Sequence, residues 1–150
     1  LFSRLVDSLY VEAMVMADEA RSYFDRQGGI ERENMDMMGR LSFTCESLKV
    51  TTRLMHIIAW LLSQKAWRRG ELSWEALSDP KYRLGEAAAT EVSVVDALPE
   101  SARQLVTGSE DLYARILRLQ DNMRRPGDAM PPQAATSPAR SLIDRLEQAF

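Results

Sequence analysis

The sequence contains one histidine, His56, and one cysteine, Cys45, that could take part in nucleophilic catalysis or metal binding. They are eleven residues apart in a stretch predicted to be helical, which separates them by about three turns, or roughly 16 Å along the axis. A cysteine–histidine pair has to lie within hydrogen-bond reach, so these two cannot form one within a subunit. A zinc site needs further thiolate or imidazole ligands, and the sequence has none. We therefore predict neither a thiol nucleophile nor a metal site.

Acid–base chemistry is the remaining catalytic option, through Glu31 and Glu33 or through Glu110 and Asp111. Neighbouring acids on a predicted helix more commonly mark a solvated face than a general acid–base pair. Glycine-rich phosphate loops and nucleophile elbows are missing from the sequence. We predict a protein that is not an enzyme and that binds no cofactor.

Composition indicates one soluble domain with a substantial core, because 45% of the 150 residues are hydrophobic and 27% are charged. A net charge of −3 argues against a dedicated nucleic-acid binder. The longest apolar run, residues 57–62, is too short to cross a bilayer, which needs about 20 residues. A single cysteine cannot form an internal disulfide, which suits a reducing cytoplasm. No signal-peptide pattern is visible at the start of the sequence.

Residues 41–70 contain no proline and no internal glycine, which predicts one long helix. A helical projection gives two apolar arcs. The broad arc contains Leu41, Thr44, Cys45, Leu48, Thr52, Met55, Ile58, Ala59, Leu62 and Ala66. The narrow arc contains Phe43, Val50, Leu54, Ile57 and Leu61. A surface helix needs one apolar stripe, so two arcs predict a central helix with a neighbouring helix on each arc.

The third face of this helix, here called the polar strip, contains Glu46, Lys49, Arg53, His56, Trp60, Ser63, Gln64 and Trp67. Aromatic side chains among basic ones are typical of protein-binding hot spots. Six of these residues form a candidate partner surface: Lys49, Arg53, His56, Trp60, Gln64 and Trp67. In the alternative interpretation, Trp74 and residues 72–98 cover the two tryptophans within the fold.

Two further helices are predicted to flank the central one, over about 3–27 and 99–125. Gly28-Gly29 is expected to end the first of them, and Pro99 to open the last. Residues 28–40 are predicted to connect the helices with at most a helical turn from Glu31. A short helix with Ser73 near its start should be followed by a loop or helical lead-in to residue 98. The predicted fold class is all-α, a three-helix bundle.

Three apolar residues of the first predicted helix, Val11, Met14 and Val15, lie opposite its core stripe. They form a candidate dimer contact, because exposed apolar patches commonly mark interfaces. The alternative is that they are scattered exposed hydrophobes, which are common on protein surfaces.

Composition changes at Pro126, which predicts a bundle domain over 1–125 and a flexible, proline-rich tail over 126–150. The tail ends in a short amphipathic pattern whose apolar side forms a candidate anchor. Its residues are Leu142, Ile143, Leu146 and Phe150. A spacer followed by such a segment is the layout of a tethered peptide ligand. The alternative is a terminus that folds back onto its own bundle.

Three long motifs resemble the RcdA family of alphaproteobacteria, the regulators of CtrA degradation. They read RLVDSLYVEAMVMADEARSYFD at 4–25, FTCESLKVTTRLMHIIAWLLSQKA at 43–66 and LPESARQLVTGSEDLYARILRLQ at 98–120. The resemblance extends over nearly all of residues 2–125, and it contains no catalytic signature.

This resemblance implies a non-enzymatic adaptor of the ClpXP protease, a helical-bundle homodimer with a flexible C-terminal tail. The implied partners are the ClpX unfoldase, a CpdR-like receiver adaptor, a PopA-like cyclic-di-GMP effector and cargo proteins for cell-cycle-regulated proteolysis. The implied location is the cytoplasm, with an association with a cell pole. Two alternatives stay open, a scaffolding helical dimer and a small-ligand sensor with no direct role in proteolysis.

Overall fold

The computed structural model describes residues 2–124 together with Leu146. Three long helices dominate it: α1 (Phe2–Asp25), α3 (Met37–Arg68) and α6 (Glu100–Arg124). Short helices lie between them, namely α2 (Gln27–Glu33), α4 (Trp74–Leu77), a 3-10 helix (Pro80–Tyr82) and α5 (Val92–Ala97). The described residues contain no strand. The predicted all-α three-helix bundle is confirmed.

The long helices do not simply alternate in direction. Asp7 near the start of α1 pairs with Lys65 and Arg68 at the end of α3, at 3.2 and 2.8 Å, so α1 and α3 are antiparallel. Glu12 of α1 pairs with Arg115 of α6 at 2.7 Å, and Met16, further along α1, lies against Gly108, earlier in α6, so these two helices are antiparallel as well. Helices α3 and α6 are therefore parallel. Residues 69–99, here called the crossover, have to return along the whole bundle to join them.

The core lies where the three long helices face one another. The narrow arc of α3 is buried, as predicted, and so is the stripe of α6 that contains Leu105, Leu112 and Ile116. Gly108 of α6 faces α1, where a Cβ atom would lie 3.4 Å from Met16. The central position of α3 in the bundle is thus confirmed.

The connection between α1 and α3 differs from the prediction. Helix α1 ends at Asp25, before the two glycines, and Gly28 and Gly29 lie within α2. Gly28 is needed for close packing, because a Cβ atom there would lie 3.0 Å from the carbonyl oxygen of Tyr23. Helix α3 begins four residues earlier than expected, since Asp36 caps it by accepting a hydrogen bond from Gly39 N at 2.7 Å.

The crossover follows the predicted pattern more closely. Ser73 caps α4 by accepting a hydrogen bond from Ala76 N at 3.0 Å. The valine-rich segment that precedes α6 is helical, as α5. Domain division at residue 126 remains a prediction, because residues 126–150 lie outside the described part of the chain apart from Leu146.

Alkaline pH should weaken the contact between α1 and α2. Tyr23 donates a hydrogen bond to Glu31, and burial together with that bond raises the pKa of the Tyr23 phenol above its ordinary 10.0. A raised pKa means that the contribution to stability is complete below pH 10 and is lost as the pH rises further. We expect Tyr23→Phe to cost about 1 kcal/mol at pH 8. The difference from the wild type should shrink at pH 11 in urea titrations, and a constant difference would contradict this account.

Candidate partner-binding surface

The crossover covers most of the polar strip. Arg53 is 1% exposed, and the side chains of Trp60, Gln64 and Trp67 are also buried. Lys49 and His56 are half-buried at the edge of the strip. This arrangement matches the alternative in which residues 72–98 cover the tryptophans. Of the six candidate partner-surface residues, only Lys49 and His56 are accessible to another molecule.

Arg53 joins α3, the crossover and α6 through hydrogen bonds. Its guanidinium donates to the carbonyl oxygen of Ala88 at 2.9 Å, to Thr90 Oγ1 at 2.7 Å and to Ser109 Oγ at 3.2 Å. The Thr90 hydroxyl in turn donates to the buried Glu46. Burying a charge is costly unless its polar atoms are hydrogen-bonded, and these partners supply the hydrogen bonds of the Arg53 guanidinium.

Burial and the neighbouring negative charges shift the pKa of Arg53 in opposite directions. Burial lowers the pKa of the guanidinium, while the negative charges of Glu110 and Glu46 raise it. Lys49 Nζ lies 2.9 Å from Glu46 Oε1, so this carboxylate is shared between two cations. The cluster is therefore a compact set of compensating charges beneath the crossover, and we refer to it as the Arg53 cluster: Glu46, Lys49, Arg53, Thr90, Ser109 and Glu110.

His56 packs against the crossover where the backbone approaches most closely. A Cβ atom at Gly85 would lie 2.1 Å from His56 Nδ1, which leaves no room for a side chain. Tyr113 of α6 fixes the same point by donating a hydrogen bond to the carbonyl oxygen of Gly85 at 2.6 Å. Partial burial of Tyr113 raises the pKa of its phenol. His56 therefore serves as a packing residue in this fold.

Gly85→Ala should destabilise the protein by about 1 to 3 kcal/mol, because the new methyl group overlaps the imidazole. Adding His56→Ala should recover most of that loss in a double-mutant cycle followed by urea unfolding. Gly29→Ala is the matched control, since its nearest atom would be 3.9 Å away. Equal losses in the single and double variants would contradict the proposed contact.

The far end of the polar strip is covered by aromatic packing. The rings of Trp67 and Trp74 are 5.2 Å apart and tilted by 59°. Gln120 of α6 accepts a hydrogen bond from Leu84 N at 2.7 Å, which fixes the crossover nearby. Beside them lies an open groove between α3 and the crossover, with Trp60, Leu62, Leu72, Lys81, Tyr82 and Arg83 among its lining residues.

The broad apolar arc of α3 faces outward, and its prediction as a core face is wrong. Four of its large side chains, Leu41, Leu48, Met55 and Leu62, are 46 to 64% exposed. Helices α1 and α6 already cover the narrow arc, and the crossover covers the polar strip. Ile58 at the margin of the broad arc packs against the core, but no described element covers these four large side chains. Because the polar strip is buried instead, the broad apolar arc, which helical periodicity placed in the interior, lies at the surface.

The candidate dimer contact on α1 is also at the surface, with Val11, Met14 and Val15 between 44 and 60% exposed. Met14 is three and seven residues from Ala17 and Arg21, which line a groove between α1 and α3. Val11 and Val15 lie further round the helix. A role for these three residues in a subunit contact stays a prediction. The candidate tail residues Leu142, Ile143 and Phe150 lie outside the described residues, and of that group only Leu146 is described.

Within the described residues, no three histidine, cysteine, aspartate or glutamate side chains are grouped so that they could hold a metal ion. Cys45 is exposed on the outer face of α3, whereas His56 faces the crossover. None of the helices in residues 2–124 is long and apolar enough to span a membrane.

Taken together, these features define an all-α bundle protein whose parallel α3 and α6 are joined by a covering crossover. The chain belongs to the family DUF1465, described as a protein of unknown function, whose profile matches residues 1–150. Its structure is similar to the crystal structure of RcdA from Caulobacter crescentus. The two share 34% sequence identity and a TM-score of 0.65, over 79% of this chain and 90% of that one. The resemblance to RcdA seen in the sequence is confirmed. A search of curated proteins gave no match.

Proposed function

We propose that this protein is a non-enzymatic adaptor that delivers cargo proteins to the ClpXP protease for cell-cycle-regulated proteolysis. The observation that supports this most is the similarity to RcdA, at 34% identity over 79% of the chain. The proposed partners are ClpX, a CpdR-like receiver protein, a PopA-like effector and the cargo. The proposed adaptor works as a homodimer in the cytoplasm and at a cell pole.

The described surface offers places for such partners. Lys49 and His56 form the accessible edge of the polar strip. Further along α3, the basic residues Lys81 and Arg83 of the crossover line the groove beside Trp60. In this proposal a partner binds that edge, while Arg53, Trp60, Gln64 and Trp67 support the crossover from beneath. The exposed apolar faces of α1 and α3 provide further contact area.

Affinity capture tests the proposed class directly. The full chain is immobilised and exposed to an alphaproteobacterial lysate at low salt. We expect recovery of ClpX and of a receiver-domain protein. A Lys81→Glu/Arg83→Glu variant, which leaves the Arg53 cluster intact, is the matched control for the basic surface and should recover less of the receiver-domain protein. Absence of ClpX from the captured proteins would contradict the proposal.

The tail is proposed to act as a tethered ligand. Covalent attachment to the bundle would give the terminal segment an effective concentration of order mM near the bundle-bound partner, which strengthens two modest affinities. Deleting the residues after Arg125 should leave the helical signal in circular dichroism unchanged and should lower the rate of cargo degradation in a reconstituted assay. Full delivery by the truncated chain would contradict the role of the tail.

A small-ligand sensor is the second candidate, and the open groove between α3 and the crossover favours it. A ligand at 100 times its dissociation constant would stabilise the protein by about 2.7 kcal/mol. Thermal shifts with nucleotides and second messengers measure this effect. A scaffolding dimer, in contrast, would bind the partners and leave the degradation rate unchanged.

A further inference from the structure

The outward face of α3 has a strict seven-residue repeat. Large apolar side chains recur at Leu41, Leu48, Met55 and Leu62, and smaller ones recur at Cys45, Thr52, Ala59 and Ala66. We call these eight residues the apolar seam. Spacings of four and three residues alternate throughout, as at the a and d positions of a coiled coil. The seam contains no charged residue.

A seam of this kind usually faces another helix. In the described bundle it faces outward, and its four large side chains are 46 to 64% exposed. Soluble proteins rarely expose contiguous apolar patches of more than a few hundred Å² unless the patch binds something. A residue repeat of seven drifts by only about 20° per heptad on a straight helix, so the seam stays on one face over its three heptads.

The order of large and small side chains indicates what covers the seam. In a parallel pair of identical helices, each large residue would meet its own copy and each small residue would meet its own copy. Crowded layers would then alternate with empty ones. In an antiparallel pair, each a position meets d. Leu41 then faces Ala66, Leu48 faces Ala59, Met55 faces Thr52 and Leu62 faces Cys45. Every layer combines one large and one small side chain, which is the arrangement that fills a helix interface evenly.

We propose that α3 of a second copy of this chain packs antiparallel along the apolar seam, about a twofold axis at the level of Arg53 and Leu54. Such an interface is isologous, because the same residues contribute from both subunits. A groove between α1 and α3, lined by Met55 of the seam and by Ile58 beside it, gives the second copy a wider contact. The adaptor proposed above supplies the expectation of a dimer, and the position and direction of the contact follow from the seam alone.

Charge substitutions in the seam test its position. We expect the full chain to sediment as a dimer of 17.0 kDa subunits at micromolar concentrations. Leu48→Glu/Met55→Glu should halve that mass and retain the helical circular dichroism of the wild type. Val92→Glu on α5, which alters an apolar residue outside the seam that is 76% exposed, should stay dimeric. A dimer that survives the seam variant, a dimer that Val11→Glu/Val15→Glu breaks instead, or a monomeric wild type would overturn the proposal. Sedimentation tests the proposed dimer contact, whereas degradation assays test the adaptor role, so either proposal can fail without the other.

Disulfide formation tests the direction of the pairing. In the antiparallel register the two Cys45 residues are 17 positions apart, or roughly 25 Å along the axis, too far for a disulfide. Position 62 lies in the same layer as Cys45 of the second copy. Mild oxidation should therefore leave the wild type uncrosslinked and should crosslink Leu62→Cys into dimers. The control Cys45→Ser/Leu62→Cys should stay uncrosslinked. Rapid crosslinking of the wild type through Cys45 would instead show parallel pairing and would overturn the proposal.

Discussion

Replacing Arg53 with methionine should lower the free energy of unfolding by about 2 to 4 kcal/mol, because it removes three hydrogen bonds from a buried charged donor and leaves their acceptors without it. Arg53 is 1% exposed and bonds to Ala88, Thr90 and Ser109. Without it, the buried Glu46 loses a compensating charge, and the Ala88 carbonyl loses its donor. Chemical denaturation followed by circular dichroism measures the loss.

Hydrogen exchange should show where that loss occurs. Amides of the crossover should exchange faster in Arg53→Met relative to the wild type, while those in the middle of α1 should change less. Arg21→Met is the matched control, because Arg21 pairs with Asp18 on an exposed surface where solvent screens the pair, so its loss should change stability little. A loss below about 1 kcal/mol in Arg53→Met would mean that the Arg53 cluster does not hold the crossover.

Leu61→Ala and Leu62→Ala should differ sharply, although the two residues are adjacent. Leu61 is fully buried on the narrow arc, and its truncation should cost about 2 to 5 kcal/mol through lost burial and a residual cavity. Leu62 is 46% exposed on the apolar seam, and its truncation should cost the monomer less than about 1 kcal/mol. Urea unfolding measures both values.

Unfolding measured at several protein concentrations separates the contribution of Leu62 to the monomer from its contribution to the subunit contact. A loss that arises from the subunit contact should depend on concentration, because dimerisation stabilises the folded chain by mass action. The loss in Leu61→Ala should be present at every concentration. Equal, concentration-independent losses would contradict the orientation of α3.

Helix positions could be predicted from the sequence where local signals act. The period of apolar residues in α1, α3 and α6 and the Ser73 cap of α4 depend on neighbours within a few positions. Gly28-Gly29 misled the prediction because glycine has two roles. It can end a helix, or it can allow close packing, and here Tyr23 and Phe43 lie too close to Gly28 for a side chain.

The outward face of α3 could not be predicted by hydrophobicity alone. Arg53 is buried because the carbonyl of Ala88 and the hydroxyl of Thr90 reach it from 35 and 37 residues away. Helical periodicity contains no information about such distant partners. The heptad spacing of Leu41, Leu48, Met55 and Leu62 was visible in the sequence, but burial in the fold was needed to separate a contact with another chain from a contact within the core.

Burial by residues distant in sequence also limited the prediction of the candidate partner surface. The strip that contains Trp60 and Trp67 had two interpretations, and the choice between them depended on where the crossover lies. Because α3 and α6 are parallel, the crossover has to pass along the bundle, and it does so over that strip. The parallel direction follows from pairs such as Glu12 with Arg115, which lie far apart in sequence.

The rate of cargo degradation tests the proposed adaptor role most directly. A fluorescent cargo protein is incubated with ClpX, ClpP and a CpdR-like receiver protein, and the initial rate is measured as the concentration of this chain increases. The account predicts a rate that rises and then saturates, with a smaller rise for the chain that lacks residues after Arg125. A rate that stays unchanged while the chain binds both cargo and ClpX would contradict the adaptor role and would indicate a scaffold.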